Sequence, residues 1–292
     1  MNTEITGFET VNVEVDGLTT RAAVGGSGRA VLLLHGFPQT RLAWRAVAPE
    51  LARRYRVVCP DLPGYGASAG PDSVEGYSKR ALASRMVALM RELGHDRFSV
   101  VGHDRGGLVA FRAALDHPGV VAHLGVLDIL PNTDNWAALH GVGGVFAFHL
   151  YLLAQPSDLP ERMIAADPDT FVGHFLDTWV TEKGAIPADS RAAYLAAARR
   201  GEVVHAMCQD YRAGAFVDPG HDDADREAGR LLTMPVLAMW QDPGELVLPF
   251  DPQAIWSSWA PDLRTVVLPC GHFLPEERPG DVVAAITALL EG

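Results

Sequence analysis

Val100 to Gly107 reads VVGHDRGG: an apolar run enters Gly-x-Asp-x-Gly, and a small-residue helical pattern follows at once. Glycines on either side of one reactive side chain mark a nucleophile elbow, a turn so tight that only glycine fits beside the strained central residue. The central residue is Asp104. A hydroxyl in that place would have to lose its proton first, and displacement at saturated carbon would leave it as a stable ether. A carboxylate is already anionic at neutral pH. Its attack on saturated carbon gives an ester, which base-activated water can cleave at the carboxyl carbon. Asp104 therefore points to carbon–halogen or epoxide cleavage and away from esterase chemistry. The plainer reading is an aspartate capping the next helix; the full strand–turn–helix context weighs against it.

The second half-reaction needs a base to activate water. His272, in LPCGHFLPEE after the last strand-like run, is the candidate, and the chain order nucleophile, acid, histidine suits it. An acid must hold the imidazole and stabilise its charged form. Asp128 in VLDILP and Asp242 in MWQDPG compete for this role, and Asp128 is preferred. The ester also needs donors for its developing oxyanion. The HGFP loop (His35 to Pro38) should offer the backbone N–H of Phe37, and the residue after the nucleophile that of Arg105. His35 itself reads as structural.

These groups need elements to hold them. Phe8 to Val15 and Leu18 to Val24 alternate as a hairpin. Ala30 to Leu34, Arg56 to Cys59, Arg97 to Val101, Val120 to Leu127, Met234 to Trp240 and Leu263 to Leu268 read as strands, several of them apolar runs typical of a parallel sheet. Leu42 to Arg54, Tyr77 to Leu93, Gly106 to Asp116 and Asp281 to Leu290 read as helices. This order implies an α/β, mostly parallel, doubly wound sheet. A helical insertion over residues 131–229 interrupts it after the sixth strand, leaving 1–130 and 230–292 as the core domain. An insertion leaving from the carboxyl end of a strand overhangs the edge where ligands bind in such sheets, so it reads as a cap. Within it, Val142 to Ala154 reads as one buried helix and Asp222 to Gly229 as a solvated acidic one.

Composition points to an enzyme of small molecules. Net charge is -12, with 36 acidic against 24 basic residues. Such a balance argues against nucleic acid or an anionic membrane as partner. Three cysteines at positions 59, 208 and 270 have no metal-ligand spacing. They fit a reducing, cytoplasmic setting. No metal and no cofactor are implied, and Gly25 to Gly28 precedes a strand, so it is not a dinucleotide loop.

Seven segments together make a resemblance specific: HGFPQT (35–40), DLPGYGAS (61–68), GHDRGG (102–107), VLDILP (126–131), LAQPSDLPERMI (153–164), MCQDYRAGA (207–215) and CGHFLPEE (270–277). Over nearly its whole length the chain resembles the fluoroacetate/haloacetate dehalogenases of the α/β-hydrolase fold. The resemblance implies Asp104 as nucleophile, His272 as base and Asp128 as its partner. In that family two arginines grip the substrate carboxylate; the first matches Arg105, and Leu108 stands in place of the second. The family's halide pocket combines a histidine, a tryptophan and a tyrosine. His149 and Tyr211 match, and Leu150 occupies the tryptophan position. These two departures suggest hydrolytic dehalogenation of small 2-haloacids with weak defluorination. The alternative is an epoxide hydrolase using the same Asp104 and His272, with Tyr151 and Tyr211 as acids. A homodimer is implied by the family alone.

Overall fold

A computed structural model describes residues 4–242 and 250–292. Among them one eight-stranded sheet forms from β1 (Glu9–Val15), β2 (Leu18–Gly25), β3 (Ala30–Leu34), β4 (Arg56–Pro60), β5 (Phe98–His103), β6 (Val121–Leu127), β7 (Val236–Gln241) and β8 (Leu263–Leu268). Their spatial order is β1-β2-β4-β3-β5-β6-β7-β8. β2 lies antiparallel to β1 and β4, and from β4 to β8 neighbours run parallel. β3 and β5 are buried along their whole length. Alternate side chains feed opposite faces, as the two-residue period of a strand requires. Leu32, Leu34, Val58 and Val100 join one apolar cluster, and Val31, Leu33, Val57 and Val101 the other. Helices must cover both faces of such a sheet.

In chain order the helices begin with α1 (Ala48–Leu51), α2 (Lys79–Glu92) and α3 (Arg105–Asp116). Eight more lie between β6 and β7: α4 (Asn132–Ala138), α5 (Val142–Phe146), α6 (Phe148–Leu153), α7 (Leu159–Ala166), α8 (Pro168–Thr178), α9 (Ala188–Ala198), α10 (Gly201–Phe216) and α11 (Asp218–Glu227). The chain closes with α12 (Pro252–Ser257), α13 (Leu274–Glu277) and α14 (Pro279–Glu291). Among the described residues no helix is long and apolar enough to cross a membrane.

Three helices expected from the sequence differ in the structure. The stretch from Leu42 to Arg54 divides into a 3-10 turn at Arg41–Trp44 and the short α1, where Pro49 occupies the first turn. Proline has no N–H to continue a preceding helix, but it suits a helix start. The stretch from Val142 to Ala154 breaks at Ala147 into α5 and α6. Rather than being buried, α5 exposes Val142, Val145 and Phe146. The acidic stretch beginning at Asp222 is solvated on one face only, with Asp223, Arg226 and Glu227 exposed. Asp218, Asp222 and Asp225 on α11 are all buried, and the last two form ion pairs with the buried Arg112 of α3. A charge count along the sequence cannot show that a distant arginine cancels it.

Candidate active site

Four strand ends converge on one edge of the sheet. His35 to Phe37 follow β3, Asp104 follows β5, Asp128 follows β6, and His272 lies four residues beyond β8. Asp104 has φ +50°, in the left-handed region that side chains avoid. A conformation of this kind costs on the order of 1–3 kcal/mol and persists only where the surroundings impose it. The imposition comes from backbone packing. A Cβ on Gly106 would lie 2.4 Å from the carbonyl oxygen of His35, and one on Gly102 would lie 2.2 Å from that of Gly106. Only glycine at both positions lets α3 start this close to the strands, so Asp104 stands at the tip of a turn with no slack.

The Asp104 carboxyl is almost fully buried. Its Oδ1 accepts the backbone N–H of Phe37 at 2.6 Å, and the N–H of Arg105 bonds the same group. Burial pushes its pKa up, against the opposing charges of His272 and Arg105 and these two N–H donors. Its Oδ2 is 3.9 Å from His272 Nε2. That is beyond a hydrogen bond, and the Nε2 is buried without a protein partner.

On its other side His272 Nδ1 meets Asp128 Oδ2 at 2.6 Å. Asp128 also has φ +49°, and its carboxylate accepts the Gln241 backbone N–H at 3.1 Å and its side-chain Nε2 at 2.9 Å. Burial pulls the His272 imidazole down, but the hydrogen bond and charge of Asp128, with the charge of Asp104, hold it above the ordinary histidine value. Asp242, the competing acid, bonds through its backbone N–H to Leu268 at 2.7 Å. His35 accepts the Leu62 N–H at Nε2, 2.9 Å away, while its Nδ1 meets the Gly36 carbonyl at 3.0 Å. Both ring nitrogens are thereby spent on the two loops.

The insertion forms the roof. His149 on α6 stacks on Phe37 with centroids 5.7 Å apart, and Tyr211 on α10 meets Phe37 edge-on at 5.4 Å and His149 at 5.6 Å. Burial, with the charges of His272 and Arg105, pushes the His149 pKa down to about 3, so this imidazole is neutral and can donate one N–H. Its Nδ1 and the Tyr211 hydroxyl are both buried without protein partners. Leu150 and Leu108 are buried and apolar. Tyr151 is elsewhere: its hydroxyl donates to the Leu139 carbonyl at 2.9 Å and its ring packs on Trp136.

Arg105 is a buried cation, not a surface one. Its Nε donates to Asp210 Oδ2 at 2.8 Å and its Nη2 to the Asp210 carbonyl at 2.7 Å, with the guanidinium 4.3 Å from the Tyr211 ring centre. Burial opposes this charge, yet Asp210 holds Arg105 fully protonated.

Sequence reasoning missed several members of the site. Trp179, just past α8, has its ring centre 4.9 Å from those of both His149 and His272, and its carbonyl accepts the His272 N–H at 2.8 Å. Gln241 braces Asp128, and His103 Nε2 meets the His272 carbonyl at 2.7 Å. His103 adjoins the elbow and could have been suspected; Trp179 and Gln241 belong to no local pattern.

A family model of the alpha/beta hydrolase fold matches residues 29–279. The fluoroacetate dehalogenase of Burkholderia sp is 40% identical over 288 residues, covering 97% of this chain and 94% of that protein. The soluble epoxide hydrolase of Corynebacterium sp. (strain C12) is 31% identical over 287 residues, 97% of this chain and 96% of that protein. Among solved structures, Cfl2 of Burkholderia cenocepacia is 30% identical with a TM-score of 0.89, covering 98% of this chain and 97% of that one.

Proposed function

Since the chain belongs to the α/β-hydrolase superfamily, in its fluoroacetate/haloacetate dehalogenase family, we propose that it hydrolyses the carbon–halogen bond of small 2-haloacids through an ester on Asp104. The observation that carries this reading is the Asp104 carboxyl itself: it is bonded by the backbone N–H groups of Phe37, at Oδ1, and of Arg105, and its Oδ2 is 3.9 Å from the free Nε2 of His272. Arg105 orients the substrate carboxylate. Asp104 Oδ2 attacks the carbon bearing the halogen, the carbon–halogen bond breaks, and halide leaves toward His149 and Tyr211. Ester formation removes the Asp104 charge, and with it one of the charges that lift the His272 pKa. The imidazole then gives up its proton more readily, so its unprotonated form is available when a base is needed. Its Nε2 then takes a proton from water, hydroxide adds to the Asp104 carboxyl carbon, and the N–H groups of Phe37 and Arg105 hold the oxyanion. The ester C–O bond breaks as His272 Nε2 returns its proton to the leaving oxygen, releasing a 2-hydroxyacid and regenerating the Asp104 carboxylate.

Fluoride is small and strongly hydrated, so its departure demands several donors, and Leu150 contributes none. Chloro- and bromoacids are therefore the better substrates. The test is halide release from fluoro-, chloro- and bromoacetate, with a single turnover in isotopically heavy water. The expected result is faster chloride and bromide release and heavy oxygen in the peptide carrying Asp104; fastest turnover on fluoroacetate, or no label in that peptide, overturns the reading. An epoxide hydrolase would produce a diol and no halide. The Tyr211 hydroxyl is free to protonate an epoxide oxygen, but Tyr151, bonded to Leu139, is not available as its companion.

A further inference from the structure

Lys79 opens α2 and is buried together with its ammonium, though no step of the ester chemistry uses it. Its Nζ is ion-paired with Asp210 Oδ1 and lies 3.7 Å from Asp218 Oδ2. Asp218 accepts the backbone N–H of Lys79 at 2.8 Å through Oδ1, with His221 Nδ1 3.8 Å away, while its buried Oδ2 has no hydrogen-bond partner. The second Asp210 oxygen takes Arg105 Nε at 2.8 Å and the Tyr65 hydroxyl at 3.0 Å. One buried carboxylate is thus shared by two buried cations, one of which stands beside the nucleophile.

We propose that Lys79 is a specificity residue: by sharing Asp210 it leaves Arg105 with positive charge to offer an anionic substrate. The proposal rests on the haloacid reading above. Were Asp210 to face Arg105 alone, the two would form a neutral pair. An incoming carboxylate would then compete with Asp210 for the guanidinium while also approaching the Asp104 charge. Leu108, one turn of α3 beyond Arg105, is buried and uncharged, so no cation reaches the pocket from there. Lys79 makes up the deficit indirectly, through the far oxygen of Asp210. It touches no substrate atom and acts through Arg105. At the separations of a buried triad, one unit charge is worth roughly a tenfold or larger change in anion affinity.

The experiment compares chloroacetate with 2-chloroacetamide, which has the same carbon–chlorine bond and no charge, in the wild type, K79R and K79M. The expected result is that K79M lowers the acid-to-amide ratio of kcat/KM by roughly tenfold or more, through the KM of the acid, and that K79R restores the ratio. An unchanged ratio in K79M, or an equal loss on both substrates, overturns the proposal. Should K79M not fold, K79Q, which can still donate a hydrogen bond to Asp210 but carries no charge, takes its place. Calorimetric binding of glycolate and glycolamide makes the same comparison without turnover. A wild type that releases no halide from either compound overturns the dehalogenase reading, whereas a wild type that does not prefer glycolate to glycolamide overturns the role of Lys79.

Discussion

Asp104 and His272 hold each other's protons in balance. Burial disfavours the Asp104 anion, and the charge of His272 opposes that effect; the two carboxylates of Asp104 and Asp128 in turn lift the imidazole above its ordinary value. Each charge thus favours the other, and the ionised Asp104 is the form that can attack carbon. Ester hydrolysis needs the unprotonated imidazole, so turnover rises as pH increases through the His272 titration. Because the ester has lost the Asp104 charge, the acid limb of the kcat profile should have its midpoint below that of His272 in the free enzyme, read by NMR titration of the ring. A kcat midpoint at or above the free-enzyme value would contradict this coupling. His272→Gln keeps the size of the side chain but cannot take the proton from water. The ester should accumulate, seen as a mass increase on the peptide carrying Asp104, with steady-state turnover reduced by about 10²–10⁴.

Between elements, buried ion pairs tie the insertion to the core from α11 to α3. Arg112 pairs with Asp222 and Asp225, and Arg230 meets Asp225 at 2.6 Å; within the insertion the Thr133 N–H is 3.4 Å from Asp222. Even with Arg112 present, burial raises the Asp222 pKa to about 6, a sign that the arginine only partly offsets its desolvation. Removing one partner of a buried pair leaves an uncompensated charge. Arg112→Met should therefore lower the unfolding free energy by about 3 kcal/mol in urea titration, the lower end of the usual penalty because Asp225 keeps Arg230. A loss within about 0.5 kcal/mol, the range of an ordinary surface change, would refute this account of the contact. The same elements explain the break at Ala147: α6 must turn His149 down onto Phe37, while α5 lies outside with Val142, Val145 and Phe146 in solvent.

Across the whole molecule, a net charge of -12 surrounds a pocket proposed to receive an anion. Cations for that purpose have to be buried and local, as Arg105 and Lys79 are. The same imbalance sets colloidal behaviour: solubility should be lowest near the sequence pI of about 5.3 and recover on either side, measured by turbidity against pH. A minimum elsewhere would mean that buried carboxyl groups dominate the titration. The sequence by itself determined the order of the strands, the elbow at Asp104 and the hydrolase class, because apolar period, glycine placement and functional-group chemistry are local properties. It favoured Asp128 over Asp242 as the acid, and the hydrogen bond to His272 Nδ1 was seen only once β6, β7 and β8 lay side by side. Only the tertiary structure decided that Trp179 lies against both histidines, that Tyr151 faces away, that Asp222 and Asp225 of α11 are buried on Arg112, and that Asp210 is divided between Arg105 and Lys79. Each of these joins residues 30 or more positions apart or depends on which way a helix face turns. Such distances are set by the packing of whole elements, about which the order of residues along one element says nothing.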